Sequence, residues 1–291
     1  MKMLRSIVLL LCIGLLASVQ AARLSRIQVV VMIEAQAEAI RFIGGPRFDV
    51  TVLMPKHLSP ESFTPSNNDL IAMRGAKVMF TLGLPFEKAF LPKVRQTLPA
   101  LRIIDCTENM KFRQFDEAGA PKAENDPHVW LSCQNMIEYA KTITPVLAGL
   151  LPVEARDITM RGPVYCERLG KFHEELKKTL APIKGSTFLV MHPAYGYFFD
   201  DFGLAQLPVE KNGKAPSTAD LKAFLDAARA KGLSTVIISP VGNDKPARNA
   251  AAKLKGRTVT ISPLPSQKYT DDLKAMAETL LKIANSDQQQ Q

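Results

Sequence analysis

The chain has 291 residues, of which 46% are hydrophobic and 22% are charged, and its formal net charge is +9. This hydrophobic fraction can offset the entropy of ordering the chain, which excludes a largely disordered protein, and four Cys residues are too few for a disulfide scaffold. The basic residues are dispersed among acidic ones, so we interpret them as solvated helix faces and expect no nucleic-acid partner.

The first segment of the chain, residues 1–21, is predicted to be a secretory signal peptide. Lys2 and Arg5 precede an apolar core at residues 7–16, and a small residue, Ala21, stands where a signal peptidase requires one. An apolar core of about ten residues is too short to cross a bilayer as a helix. We therefore expect cleavage of this segment and a periplasmic location for the mature chain.

After this segment, short apolar runs alternate with segments of helical periodicity. This alternation predicts parallel sheets that are covered by helices on both faces. The predicted strands are 27–33, 50–54, 78–82, 101–105, 186–191, 204–209, 234–239 and 257–262. The predicted helices are 35–43, 67–74, 87–98, 132–151, 152–180, 217–231, 246–254 and 270–284.

One long stretch without a strand, residues 132–180, interrupts the alternation. We expect a kink or break at Gly162 and Pro163, because proline removes a backbone donor and clashes with the preceding turn. The fold predicted from this division is α/β, with two lobes, each a mostly parallel sheet flanked by helices, and a ligand cleft between them. The predicted parts are an N-terminal lobe at 22–151, a linking helix at 152–182, a C-terminal lobe at 183–285 and a disordered tail at 286–291.

Histidines and one glutamate near the ends of predicted elements are the candidate ligands. His57 and His192 each follow a predicted strand, His128 precedes a predicted helix, and Glu61 lies shortly after His57. Neutral imidazole and carboxylate are ligands for zinc and related divalent ions. His173 lies among charged residues and is predicted to be solvated. Because no compact motif such as H-E-x-x-H is present, spacing alone favours ordinary hydrogen-bonded loop or core histidines over metal ligands.

Several motifs add what spacing cannot provide. The most specific are DPHVWLS at 126–132 and HPAYGYF at 192–198, and DVTVLMP at 49–55, SPESF at 59–63 and GKAPS at 213–217 agree with them in order and interval. With these motifs the chain resembles the metal-binding solute-binding proteins of ABC uptake systems, the zinc- and manganese-specific periplasmic receptors, over essentially the whole mature sequence. The resemblance implies two α/β lobes bridged by one long helix, with a divalent metal ion in the cleft.

The resemblance also implies metal ligands at four places. His128 matches the histidine of the DPH motif, and His192 matches the strand-end histidine of the zinc-type members. Glu61 stands where the family usually has histidine, and Ser262 stands where it usually has an acidic residue. Ser262 and His57 are each a possible additional ligand or a position that anchors water. For the His–His–Glu set we expect Zn²⁺, with Mn²⁺ as the alternative.

The predicted function is that of a monomeric, non-enzymatic receptor without catalytic residues, which captures Zn²⁺ and delivers it to an ABC permease in the inner membrane. Two alternatives stay open. A His–His–Glu set with an open fourth position also occurs in zinc hydrolases, where the metal lowers the pKa of bound water to about 7. The missing acid at Ser262 is also compatible with a diverged receptor that no longer binds metal in the usual way.

Overall fold

The structure is a computed structural model that describes residues 26–114, 125–210 and 216–288. The predicted signal peptide at 1–21 lies outside these residues. The described residues form an α/β protein with two four-stranded parallel sheets, each flanked by helices, as the sequence predicted. Within this part of the chain, no helix combines the length and apolar character needed to cross a membrane.

The first sheet has the strand order β2-β1-β3-β4, and all of its pairs are parallel. Its inner strands are largely buried because helices cover both faces, which explains their nearly continuous apolar sequences. The strands are β1 (Ile27–Val31), β2 (Phe48–Val52), β3 (Val78–Thr81) and β4 (Arg102–Asp105). The helices between them are α1 (Glu34–Gly44), α2 (Asn67–Ala72) and α3 (Pro85–Thr97).

Two long helices, α4 (Cys133–Leu150) and α5 (Ala155–Leu180), join the sheets without an intervening strand. Of the predicted kink or break, the break is wrong, because α5 continues through Pro163, whose ring lies exposed on the outer face. Gly162 has a packing role instead. A Cβ atom there would lie 2.5 Å from Thr144 Oγ1, so the glycine permits the close approach of α5 to α4.

The second sheet has the strand order β6-β5-β7-β8 and is also parallel throughout. Its strands are β5 (Thr187–Val190), β6 (Ala205–Pro208), β7 (Val236–Ile238) and β8 (Thr258–Thr260). Its helices are α6 (Gly196–Phe202), α7 (Thr218–Ala230), α8 (Lys245–Lys253) and α9 (Tyr269–Gln288). The sequence did not predict α6. One large core of buried side chains extends from the first sheet through α4 and α5 to α6 and α9.

The end of the last helix shows that part of the disorder predicted for residues 286–291 is wrong. α9 extends to Gln288, so residues 286–288 are helical rather than disordered, and residues 289–291 lie outside the described residues. Asp287 is buried and accepts hydrogen bonds from Thr235 Oγ1 (2.9 Å) and Ser234 Oγ (3.4 Å). These bonds fix the last turn of α9 beside the start of β7.

Candidate metal centre

Three of the predicted ligands, Glu61, His128 and His192, lie together in one cleft. Each offers a ligand atom, and these atoms all lie within 4.8 Å of one another. Glu61 Oε1 is 3.4 Å from His128 Nε2 and 3.7 Å from His192 Nε2. Ligand atoms around tetrahedral zinc, with bonds of about 2.0–2.1 Å, lie about 3.4 Å apart. The two separations from Glu61 are therefore close to the spacing around one shared cation.

His128 reaches this point because a carboxylate fixes its ring from behind. The residue precedes a short 3-10 turn (Val129–Leu131) that leads into α4, and it is 2% exposed. Asp126 Oδ1 accepts hydrogen bonds from the Nδ1 atom (2.7 Å) and the backbone N–H (3.0 Å) of His128. With Nδ1 bonded to Asp126, the ring is turned so that Nε2 faces Glu61. This arrangement is typical of metal-ligating histidines.

His192 has the same support from Glu210, a residue that the sequence reasoning missed. Glu210 Oε2 accepts a hydrogen bond from His192 Nδ1 at 2.7 Å. β5 and β6 pair in parallel with Val190 opposite Pro208, and the backbone N–H of Glu210 donates to Met191 O at 3.0 Å. His192 and Glu210 therefore each lie two residues beyond their strands at the same sheet edge. The strand-end position was the available signal for Glu210.

The charges at the centre are strongly coupled. Burial alone would raise the pKa of Glu61, but the two imidazoles lower it to about 2. Burial alone would lower the pKa of His192, but Glu210 and Glu61 raise it to about 10. His192 Nε2 is buried and has no hydrogen-bond partner among the described residues. A cation that bound this nitrogen would replace a proton, since metal ligands must be deprotonated.

The centre opens into a cavity of about 180 Å³. The loop after β7 contributes Ser239, Asn243 and Asp244 to its lining, and Trp130 contributes an apolar wall. Trp130 is fully buried, its ring centroid is 5.2 Å from that of His128, and its Nε1 donates to Pro263 O at 2.7 Å. The cavity leaves space for water beside the three side chains.

Two further candidates, Ser262 and His57, do not line this cavity. His57 is exposed. Ser262 Oγ donates to Leu264 O (3.0 Å) and accepts from Leu264 N (3.2 Å), so the hydroxyl is committed to its own loop. His173 is not solvated as predicted: its side chain is 12% exposed, because Phe202 of α6 packs against it with 5.1 Å between ring centroids.

Comparison with known proteins shows the family to which the chain belongs. A family model described as the periplasmic zinc-uptake complex component A, ZnuA, matches residues 29–285. The zinc-binding protein AdcA of Streptococcus pyogenes serotype M3 is 24% identical over 263 residues, which are 82% of this chain and 50% of AdcA. The chain therefore spans about half the length of this curated relative.

Solved structures agree with the family match. A ZnuA deletion mutant with zinc bound has a TM-score of 0.81 at 27% identity, over 89% of this chain and 98% of that one. A mutant of a Mn-bound periplasmic metal binding protein from Candidatus Liberibacter asiaticus has a TM-score of 0.73 at 20% identity, over 88% of this chain and 100% of that one. The second likeness shows a shared fold.

Proposed function

Because the chain belongs to the ZnuA family, whose members are non-enzymatic components of uptake systems, we propose that it is a periplasmic receptor for a divalent cation. In this proposal the monomer binds Zn²⁺ through Glu61, His128 and His192 and delivers it to an ABC permease in the inner membrane. The hydrolase alternative is set aside because the family is not enzymatic.

One observation carries the proposal: two imidazole nitrogens and a carboxylate oxygen from three separate segments lie within 4.8 Å of one another. Each imidazole has its Nδ1 atom bonded to a carboxylate at 2.7 Å, so both Nε2 atoms point inward. A carboxylate that holds the far nitrogen of each imidazole is the usual support of metal-ligating histidines.

The choice of Zn²⁺ over Mn²⁺ rests on the donor set. Two imidazoles and one carboxylate suit zinc, whereas manganese prefers more oxygen ligands in octahedral geometry. The zinc-bound relative at 27% identity agrees with this choice. Mn²⁺ stays the alternative, and the space for water in the cavity is compatible with it.

Calorimetric titration of metal-stripped protein tests the proposal. We expect one tight Zn²⁺ site in the parent, weaker binding of Mn²⁺, and no tight site in His128→Ala. Ser262→Ala is the matched control and should titrate like the parent, because the Ser262 hydroxyl is bonded within its own loop. A parent that gives no binding heat would contradict the proposal and favour the diverged receptor.

Export is tested separately. If residues 1–21 are a cleaved signal peptide, N-terminal sequencing of the protein from a periplasmic extract should begin at Ala22. Recovery of a chain that still carries Lys2 and Arg5 would contradict that assignment.

A further inference from the structure

Arg113 connects the support of one proposed ligand to the opposite side of the cleft. Its Nη1 atom lies 3.0 Å from Asp126 Oδ2, and Asp126 in turn fixes the ring of His128. Its Nε atom donates to Asp200 Oδ2 at 2.8 Å. Asp200 belongs to α6, the helix that begins four residues after His192. The Arg113 guanidinium therefore bonds both to Asp126, which holds His128, and to Asp200, on the helix that follows His192.

The backbone around Arg113 strengthens this connection. The N–H of Arg113 donates to the Tyr197 hydroxyl at 3.1 Å, and that hydroxyl donates to Asp126 O at 2.8 Å. The carbonyl of Arg113 accepts from Asp126 N at 2.9 Å. Arg113 is 11% exposed and Asp126 is fully buried. The ion pair between Arg113 and Asp126 is thus shielded from solvent. Such a pair holds its two side chains in a narrower range of positions than a surface ion pair does.

The guanidinium of Arg113 lies against Gly196, the first residue of α6, in the space that a side chain on this residue would fill. A Cβ atom on Gly196 would stand 1.8 Å from Arg113 Nη1 and 2.3 Å from Cζ. The φ angle of Gly196 is not positive, so its backbone conformation does not require glycine. Contact with Arg113 is therefore the reason that a side chain is excluded at this position.

We propose that Arg113 is a positioning residue for metal binding: it fixes His128 relative to His192 by bonding Asp126 while it is anchored to Asp200 and seated over Gly196. The inference rests on the proposed function. Arg113 does not contact the cation position and acts only through the orientation of His128. Removing it allows Asp126 and His128 to rotate, which weakens the shared site without removing any ligand.

Three variants test the separate parts of this arrangement. Arg113→Met removes both ion pairs, and we expect a loss of Zn²⁺ affinity of about 10- to 100-fold, as for other groups that orient metal-bound histidines. Gly196→Ala should cause a loss in the same range, because the new methyl group displaces the guanidinium. Asp200→Ala removes only the anchor on α6, and we expect a smaller but measurable loss, about 3- to 10-fold.

Matched controls separate positioning from general destabilisation. Gly149→Ala introduces the same methyl group in α4, where nothing lies within 4 Å of the Cβ position, and should bind Zn²⁺ like the parent. The visible absorption of Co²⁺-loaded protein reports ligand geometry directly, so Arg113→Met and Gly196→Ala should shift it in the same way. Asp200 has a side chain that is 57% exposed, so its alanine variant should keep the thermal stability of the metal-free parent.

The double variant Arg113→Met, Gly196→Ala gives the decisive comparison. If both changes act through one guanidinium, its affinity should equal that of Arg113→Met alone. Additive losses would overturn the proposal, as would parent-like affinity and Co²⁺ spectra in Arg113→Met and Asp200→Ala. A parent protein that does not bind Zn²⁺ would refute the proposed function, whereas a binding parent with unaffected variants would refute only the role of Arg113.

Discussion

Glu87 should make the stability of the protein fall as the pH rises through the acid range. Its side chain is 3% exposed at the turn after β3, and its oxygens accept hydrogen bonds from Leu82 N and Gly83 N, both at 2.9 Å. Burial raises the pKa of Glu87 from 4.5 to about 7, in spite of these bonds. The native state therefore keeps a proton that the unfolded chain releases above pH 4.5. The stabilisation by this proton is complete below pH 4.5 and is lost as the pH rises to about 7.

The size of the effect follows from the two pKa values. A rise from 4.5 to about 7, at about 1.4 kcal/mol per pH unit, corresponds to about 3 kcal/mol. Glu87→Gln cannot ionise, so its free energy of unfolding relative to the parent should increase by about 3 kcal/mol between pH 4.5 and pH 8. Any cost of turning an amide group toward the backbone N–H groups is the same at every pH and leaves this slope unchanged.

Urea unfolding of the metal-free protein at several pH values measures this difference, with the fluorescence of Trp130, the one tryptophan of the chain, as the probe. Glu167→Gln is the control, because Glu167 is exposed on α5 and Lys171 lowers its pKa, so its stability relative to the parent should fall slightly as the pH rises, opposite in sign to Glu87→Gln. Parallel stability profiles for Glu87→Gln and the parent would refute the argument that burial keeps Glu87 protonated.

Two further substitutions test the site and the packing. Glu210→Ala should weaken Zn²⁺ binding by about 10- to 100-fold, because the His192 ring loses its 2.7 Å acceptor; an unchanged calorimetric affinity would contradict this. Gly162→Ala should lower the free energy of unfolding by about 1–3 kcal/mol, because its Cβ meets Thr144 Oγ1 at 2.5 Å. Gly170→Ala, on the same helix with no atom within 4 Å, should instead raise it by up to about 1 kcal/mol, and thermal unfolding would show whether the two signs differ.

The strands were predictable because a parallel strand buried on both faces has an apolar side chain at nearly every position. β3 (Val78–Thr81) is buried throughout and shows this pattern. The helix α6 (Gly196–Phe202) was not predictable, because seven residues are too few to show helical periodicity. Its stability comes from buried aromatic contacts, such as Phe198 with Phe202 at 4.8 Å between ring centroids, which exist only after the chain has folded.

The site shows the same division between local and tertiary information. Motif resemblance identified the three candidate ligands, and Asp126 lies beside His128 in sequence. Glu210 lies 18 residues from His192, so its role depends on the register of β5 and β6. Arg113 lies 87 residues from Asp200, and only the packing of α6 against the loop before His128 brings them together. Residue type indicated the chemistry, whereas orientation of the ligands required the fold.

The charge around the centre matches a divalent cation. Glu61, Asp126 and Glu210 contribute three carboxylates within hydrogen-bonding or ion-pair distance of the two imidazoles. Arg113 compensates one of these charges through Asp126, while Asp200 lies mostly in solvent and is screened by it. With both imidazoles neutral, two negative charges are left, which a dication neutralises and a monovalent ion does not. Without a cation, a proton on His192 offsets one of these charges, so a dication that binds the centre takes the place of that proton.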